Sequence, residues 1–235
     1  MRVLRWGVAC VLLAAALFAA SVSLYRSGTL RFNYPSEARF PVRGIDVSHH
    51  QAKVDWSAVR SAGIEFAFIK ATEGGDHSDT RFDANWEEAG RAGIARGAYH
   101  FFTFCTPGRE QAEHFLAAIG LKAGELPPAA DVEFSGNCAS WTNIDEIRRE
   151  FGVFLALVEE GTGRPPLIYV TPESFHQIIE GHFGGHPTWL RNLWFEPSVR
   201  RYGVWRFWQY ADNARLPGIE GPVDLNTFCC SRDEF

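Results

Sequence analysis

The stretch AADVEF (residues 129–134) sets two carboxylates, Asp131 and Glu133, two positions apart in an otherwise apolar run. Strand side chains alternate with a period of two, so both acids project to the same side. Ionised carboxylates are costly to bury alone. A strand that carries a pair of them on one side reads as ending at a functional mouth. In parallel barrels, functional side chains sit at the C-terminal ends of strands, and AADVEF fits such an end.

The flanking sequence repeats the same strand-then-helix unit. RGIDV (43–47) is a first strand, and Asp55 caps a helix through Ala62 that Gly63 ends. FAFIK (66–70) precedes a helix with Phe82, Trp86 and Ala89 on one face, stopping at Gly93. AYHFF (98–102) precedes a helix opened by Thr106 and Pro107 and closed near Gly120. AADVEF is followed by a helix that Asn143 and Glu146 start and that ends at Gly161, and LIYV (167–170) by one that Thr171 and Pro172 open. Five such units predict a parallel sheet. After them LWF (193–195), RFWQY (206–210) and VDLN (223–226) read as strands joined by segments rich in Pro, Gly and Arg. Eight strands with about five helices predict an α/β fold, a modified TIM-like barrel whose last part lacks helices. An open doubly wound sheet is the alternative, but no G-x-G-x-x-G turn follows the first strand.

The chain has 235 residues, 46% of them hydrophobic, and a formal net charge of -5, which suits one sizeable core and points away from nucleic acid as a partner. A monomer is expected. Residues 1–26 open with Arg2 and Arg5 and continue in an apolar run, the pattern of a signal anchor or signal peptide. Both readings put the rest outside the cytoplasm, either tethered to the cytoplasmic membrane or secreted. Residues 27–41, with Pro35 and Pro41, read as a linker, and 42–235 as the barrel. Cys10 sits too early for a lipid attachment site. Of the four exported cysteines, Cys105 with Cys138 is the first pairing expected, and the adjacent Cys229 and Cys230 are not expected to pair.

The strand-end acids are Asp46, Asp131, Glu133 and Asp224, and closure of a barrel would bring the first and last strands, hence Asp46 and Asp224, together. Two chemistries compete for such a cluster. A hard cation could take the oxygens, or one carboxyl could stay protonated as a general acid beside ionised neighbours, as glycosidic cleavage requires. Tyr99, Phe101, Tyr169, Trp194, Trp208 and Tyr210 lie in or beside the same strands, where aromatic faces suit sugar rings and where core packing accounts for about half of them.

Seven segments in order, RGIDVSHHQAKVDW (43–56), FAFIKATEG (66–74), GAYHFF (97–102), PPAADVE (127–133), LIYV, WQY (208–210) and GIEGPVDLNTF (218–228), resemble the motifs of glycoside hydrolase family 25, the Chalaropsis-type lysozymes. The resemblance implies an eight-stranded, five-helix barrel and an N-acetylmuramidase. Such an enzyme cuts the β-1,4 bond between N-acetylmuramic acid and N-acetylglucosamine in peptidoglycan, and it needs no cofactor. By motif position Glu133 would be the general acid. Asp131 would be the nucleophile or the carboxylate that orients the substrate's N-acetyl group, with Asp46 and Asp224 as the further acids. Acids two apart on one strand, together with the family, favour retention of configuration. The sequence departs from the family pattern at Glu196, where a smaller uncharged residue is usual. The arginines between Trp189 and Arg206 read as a solvated face rather than a peptide-carboxylate site.

His49, His50 and His100 could be imagined as metal ligands, but no metal is expected, since adjacent strand residues point to opposite faces. Lys70 either holds a substrate carboxylate or pairs with an acid. Asn226, two after Asp224, either hydrogen-bonds the site or closes a turn. Two rival functions are a catalytically silent glycan-binding domain on the same fold and a cation-dependent hydrolase of another polymer.

Overall fold

The computed structural model describes residues 2–29, 33–120, 122, 124–141 and 143–235. Eight strands close into a barrel in the order β1 (Arg43–Val47), β2 (Phe66–Glu73), β4 (Ala95–Phe101), β5 (Ala129–Val132), β6 (Leu167–Val170), β7 (Thr188–Arg191), β8 (Trp205–Ala214) and β9 (Val223–Phe228), which returns to β1. A two-residue strand, β3 (His77–Ser78), extends β2 outside the ring. The strands run parallel from β1 to β8, whereas β9 is antiparallel to both β8 and β1. Asp224 therefore enters the mouth from the start of its strand.

The expected helices are present. Asp55 Oδ1 accepts from the backbone N–H of Ser57 and Ala58 and so caps α2 (Trp56–Ser61). Phe82, Trp86 and Ala89 form the buried face of α3 (Phe82–Arg91). Next come α4 (Gly108–Ile119) and α5 (Ile144–Thr162), the latter capped by Asn143 and ended by Gly163 at φ 68°. α6 (Pro172–Ser174) runs into a π turn over Phe175–Ile179. A further short helix, α7 (Val199–Tyr202), precedes β8.

The seventh strand is TWLR, not LWF as the sequence suggests. Asn192 Oδ1 accepts from the N–H groups of Trp194 (3.2 Å) and Phe195 (3.1 Å), which turns the chain there and leaves both aromatics exposed. A second correction concerns Cys229 and Cys230, which are joined to each other; Cys105 and Cys138 are bonded as expected.

The period of two divides the core. Val42, Phe66, Phe68, Leu167, Trp189 and Phe207 fill the barrel, while Ile45, Ala67, Ile69, Ala130, Val132 and Ile168 face the helices. Phe68 stacks on Trp189 at 4.4 Å, and Phe66 meets Phe207 edge-on at 5.1 Å, so the lower barrel is a dry aromatic plug. Gly44 is required beside it, because a Cβ there would collide with the Phe66 ring.

Ahead of the barrel, α1 (Arg2–Arg26) is the one described helix long and apolar enough to cross a membrane. Positions 30–32 of the expected linker lie outside the described residues. Parts of that stretch pack on the barrel: Phe40 is buried against Trp205 and Trp208, and Asn33 Nδ2 donates to the carbonyls of Tyr210 (3.2 Å) and Leu193.

Candidate active site

Counting in twos from the plug upward gives the residues of the mouth: Asp46 on β1, Lys70 on β2, Phe101 on β4, Asp131 on β5, Tyr169 on β6, Arg191 on β7, Gln209 on β8, and Asp224 with Asn226 on β9. Glu133 continues the phase of Asp131 just past the end of β5. The paired acids of AADVEF do point into one mouth.

Asp46 and Asp224 are register partners across β1 and β9. Asp46 Oδ2 accepts from Asn226 Nδ2 (2.7 Å) and Gln209 Nε2 (3.0 Å), and Asp224 Oδ2 accepts from the same Gln209 nitrogen (3.0 Å). Gln209 Oε1 in turn accepts from the Tyr169 hydroxyl (2.8 Å), and Asn226 Oδ1 from Trp189 Nε1 (2.8 Å). Both amides are thus oriented by the aromatic floor, with their nitrogens aimed at carboxylates. Asp131 differs, because its Oδ1 is buried and makes no hydrogen bond.

Electrostatics follow from this crowding. Burial raises Asp46 above the ordinary carboxylate range, against the donors that favour its ionised form. Burial and then the Asp46 charge push Asp224 well above it. Asp131 is also well above the range, first through burial and then through Glu133. Glu133 is raised by burial, with Arg191 and Lys70 pulling it back down. The phenols of Tyr99 and Tyr169 are pushed well up by burial and by these acids, and they remain O–H donors.

Beside Glu133 opens a cleft of about 510 Å3 lined by Tyr169, Thr171, Glu173, Arg191, Asp212 and Asp224. Arg191 crosses it to Asp212 (2.8 Å). Lys70 adopts the ion-pair alternative: Nζ meets Glu73 Oε2 at 2.6 Å and stands 5.1 Å from the centre of the Phe101 ring.

Of the expected aromatics, Tyr99, Phe101 and Tyr169 sit in or under the mouth. Trp208 and Tyr210 do not, because they flank Gln209 in the alternation and are buried on the outer wall with Phe40 and Tyr34. Trp194 lies on the exposed turn beyond β7, stacked on Tyr25 at 5.7 Å. Glu196 is held at the surface by both guanidinium nitrogens of Arg39 (2.6 and 2.7 Å).

His49 binds Asp79 through its backbone N–H (2.8 Å) and Nδ1 (2.9 Å), and His100 is buried between Thr72 and Gln111. Gln111 spends its nitrogen on two carbonyls, so its oxygen accepts from His100 Nε2–H. Burial takes His100 down to about 3, and it stays neutral. Among the described residues no group of three or more His, Cys, Asp or Glu is placed to hold a metal ion.

The sequence profile of Glycosyl hydrolases family 25 matches residues 45–219, which include Asp46, Asp131, Glu133, Arg191 and Gln209 of this mouth. The chain belongs to glycosyl hydrolase family 25. It is a glycoside hydrolase, and solved members share its barrel: a family 25 glycosyl hydrolase from Bacillus anthracis superposes with a TM-score of 0.81 at 32% identity, covering 88% of this chain and 98% of that one. Lysozyme M1 of Streptomyces globisporus is 38% identical over 199 residues, 80% of this chain and 67% of that protein. The uncharacterised YegX of Escherichia coli K12 is 37% identical over 196 residues, 81% of this chain and 71% of that protein. Within this family 25 barrel the residues that sequence reading passed over are Gln209, Arg191, Asp212 and Trp189. For Gln209 the signal was present, since a lone amide between two strand aromatics must face the other side of the sheet.

Proposed function

We propose that this protein is a lysozyme, an N-acetylmuramidase that hydrolyses the β-1,4 bond between N-acetylmuramic acid and N-acetylglucosamine in peptidoglycan with retention. The observation that carries the reading is the asymmetry of the Asp131 and Glu133 pair. Glu133 lies at the open end beside the cleft, raised by burial yet moderated by Arg191 and Lys70, which suits a proton donor to the glycosidic oxygen. Asp131 lies deeper, with an oxygen lacking any donor.

A bound acetamido N–H supplies that donor, and positive charge growing at the anomeric carbon stabilises the ionised form of Asp131 as the bond breaks. Asp131 then either attacks the sugar or holds the acetamido oxygen against it. The Asp46 and Asp224 pair, held by the amide donors of Gln209 and Asn226, adds negative potential below the ring. Tyr99, Phe101, Tyr169, Lys70 and Asn226 shape the subsite.

In this reading residues 1–26 are a membrane anchor or export signal, the barrel works outside the cytoplasm as a monomer, and no cofactor takes part. Reducing-sugar release from purified peptidoglycan by the full chain and by Glu133→Gln tests it. Release by the parent, with a loss of about 100-fold or more in the variant, is expected. Background release from both would instead favour a silent glycan-binding barrel.

A further inference from the structure

The excursion between β7 and β8 is pinned at its neck. Asn192 N–H donates to Gln209 O (3.0 Å), Trp208 Nε1–H to Asn192 O (2.8 Å) and Trp205 Nε1–H to Pro197 O (3.0 Å). The loop turns four large apolar side chains outward: Trp194, Phe195, Val199 and Val204 are 55%, 74%, 61% and 72% exposed. Arg200, Arg201 and Arg206 are exposed among them, and no acid occurs from Pro197 to Ala211. The acid just before, Glu196, is neutralised by Arg39. Single exposed apolar residues are ordinary, but four in eleven positions interleaved with arginines form a patch. That patch is locally cationic on a chain of net charge -5.

The end of α1 docks on this patch. Besides the stack of Tyr25 on Trp194, Asn213 Nδ2 donates to Tyr25 O at 2.7 Å, and Gly28 is buried where a Cβ would strike Asn213 O. The membrane-length helix and the cationic apolar patch therefore share one corner of the molecule.

We propose that the β7–β8 excursion rests on an anionic phospholipid surface next to the point where α1 leaves the bilayer. The inference builds on the anchor reading of α1. Tryptophan and phenylalanine settle at headgroup depth, and arginine guanidinium groups meet lipid phosphates. Two attachments fix the tilt of the barrel. Asp212, which lines the cleft, precedes the residue that holds Tyr25, so the same attachment keeps the mouth near membrane-proximal glycan.

The test is hydrogen exchange of the full chain reconstituted in vesicles of phosphatidylcholine alone and of phosphatidylcholine with phosphatidylglycerol at roughly three to one. Exchange in residues 192–206 is expected to slow several-fold in the anionic vesicles only. The double variant Arg200→Glu/Arg201→Glu is expected to restore the neutral-vesicle rate while its barrel strands stay protected. If that variant does not fold, raised salt on the parent should produce the same loss of protection. Equal exchange in both vesicle types overturns the proposal. So does protection that follows protein density instead of lipid composition, which would assign the patch to a second copy of the chain. A chain that floats with neither vesicle overturns the anchor reading and this one with it, leaving the muramidase reading untouched.

Discussion

Asp46 and Asp224 face each other as register partners on antiparallel strands and share one hydrogen-bond donor, Gln209 Nε2, at 3.0 Å from each carboxylate. The only antiparallel strand in the ring thus delivers the fourth acid, and a single amide holds the pair at a fixed spacing.

Gln209 is therefore a positioning residue. Gln209→Met removes a donor from two carboxylates and the acceptor of Tyr169, which should lower stability by about 2 kcal/mol. It should reduce kcat by roughly 10- to 30-fold with little change in KM. Thermal melting and steady-state kinetics check this, and a loss confined to KM would contradict it.

Stability should depend on pH through the buried acids. Burial and Glu133 raise Asp131 well above its unfolded value, so the folded protein holds this proton longer. That contribution is full below about pH 4 and is lost as pH rises through the folded value. Asp46 and Asp224 have the same sign. Asp131→Asn should melt higher than the parent at pH 7, by the equivalent of about 1–2 kcal/mol, with the gap shrinking toward pH 4. A gap of the same size at both pH values would count against the buried charge as its cause.

The rate should follow a bell in pH that belongs to the Asp131 and Glu133 pair together. The reactive form holds one proton between the two carboxyls, so the rate falls at low pH as the pair takes up a second proton and at high pH as it loses the last. Arg191 holds Glu133 down, so Arg191→Met should move the alkaline limb of kcat/KM upward. An unmoved or downward-shifted limb would separate Arg191 from Glu133.

The Cys105–Cys138 bond closes a loop of sequence separation 33 that contains Glu133, and Asn137 within it donates to Glu133 O (2.9 Å) and accepts from Phe104 N–H (2.8 Å). Replacing both cysteines by serine should lower stability by up to about 4 kcal/mol on loop-entropy grounds. The remaining activity should fall further, because the loop that carries Glu133 loosens. Urea unfolding and peptidoglycan assays of the double variant report the two effects.

The first five strands and their helices were legible because each has an apolar core run, a cap or a stop: Asp55, Pro107, Asn143 and Thr171 stand where helices begin. The last three strands were harder. LWF has the composition of a strand, but the Asn192 turn takes the N–H groups of Trp194 and Phe195, while TWLR, starting five residues earlier in the chain, carries the pairing. The acids were legible from their period of two. That same period, applied to WQY, turns Trp208 and Tyr210 outward and Gln209 inward, so the aromatics that looked like sugar platforms build the wall instead. Arg191 and Asp212 could not be placed from sequence, since their pairing depends on how β7 and β8 end.

The central claim, that Glu133 protonates the bond between N-acetylmuramic acid and N-acetylglucosamine, is tested most directly by mass analysis of muropeptides released from purified peptidoglycan by the parent and by Glu133→Gln. Products ending in reducing N-acetylmuramic acid from the parent, and about 100-fold fewer or none from the variant, are the predicted result. Reducing N-acetylglucosamine ends, or the same products at the same rate from both proteins, would contradict it.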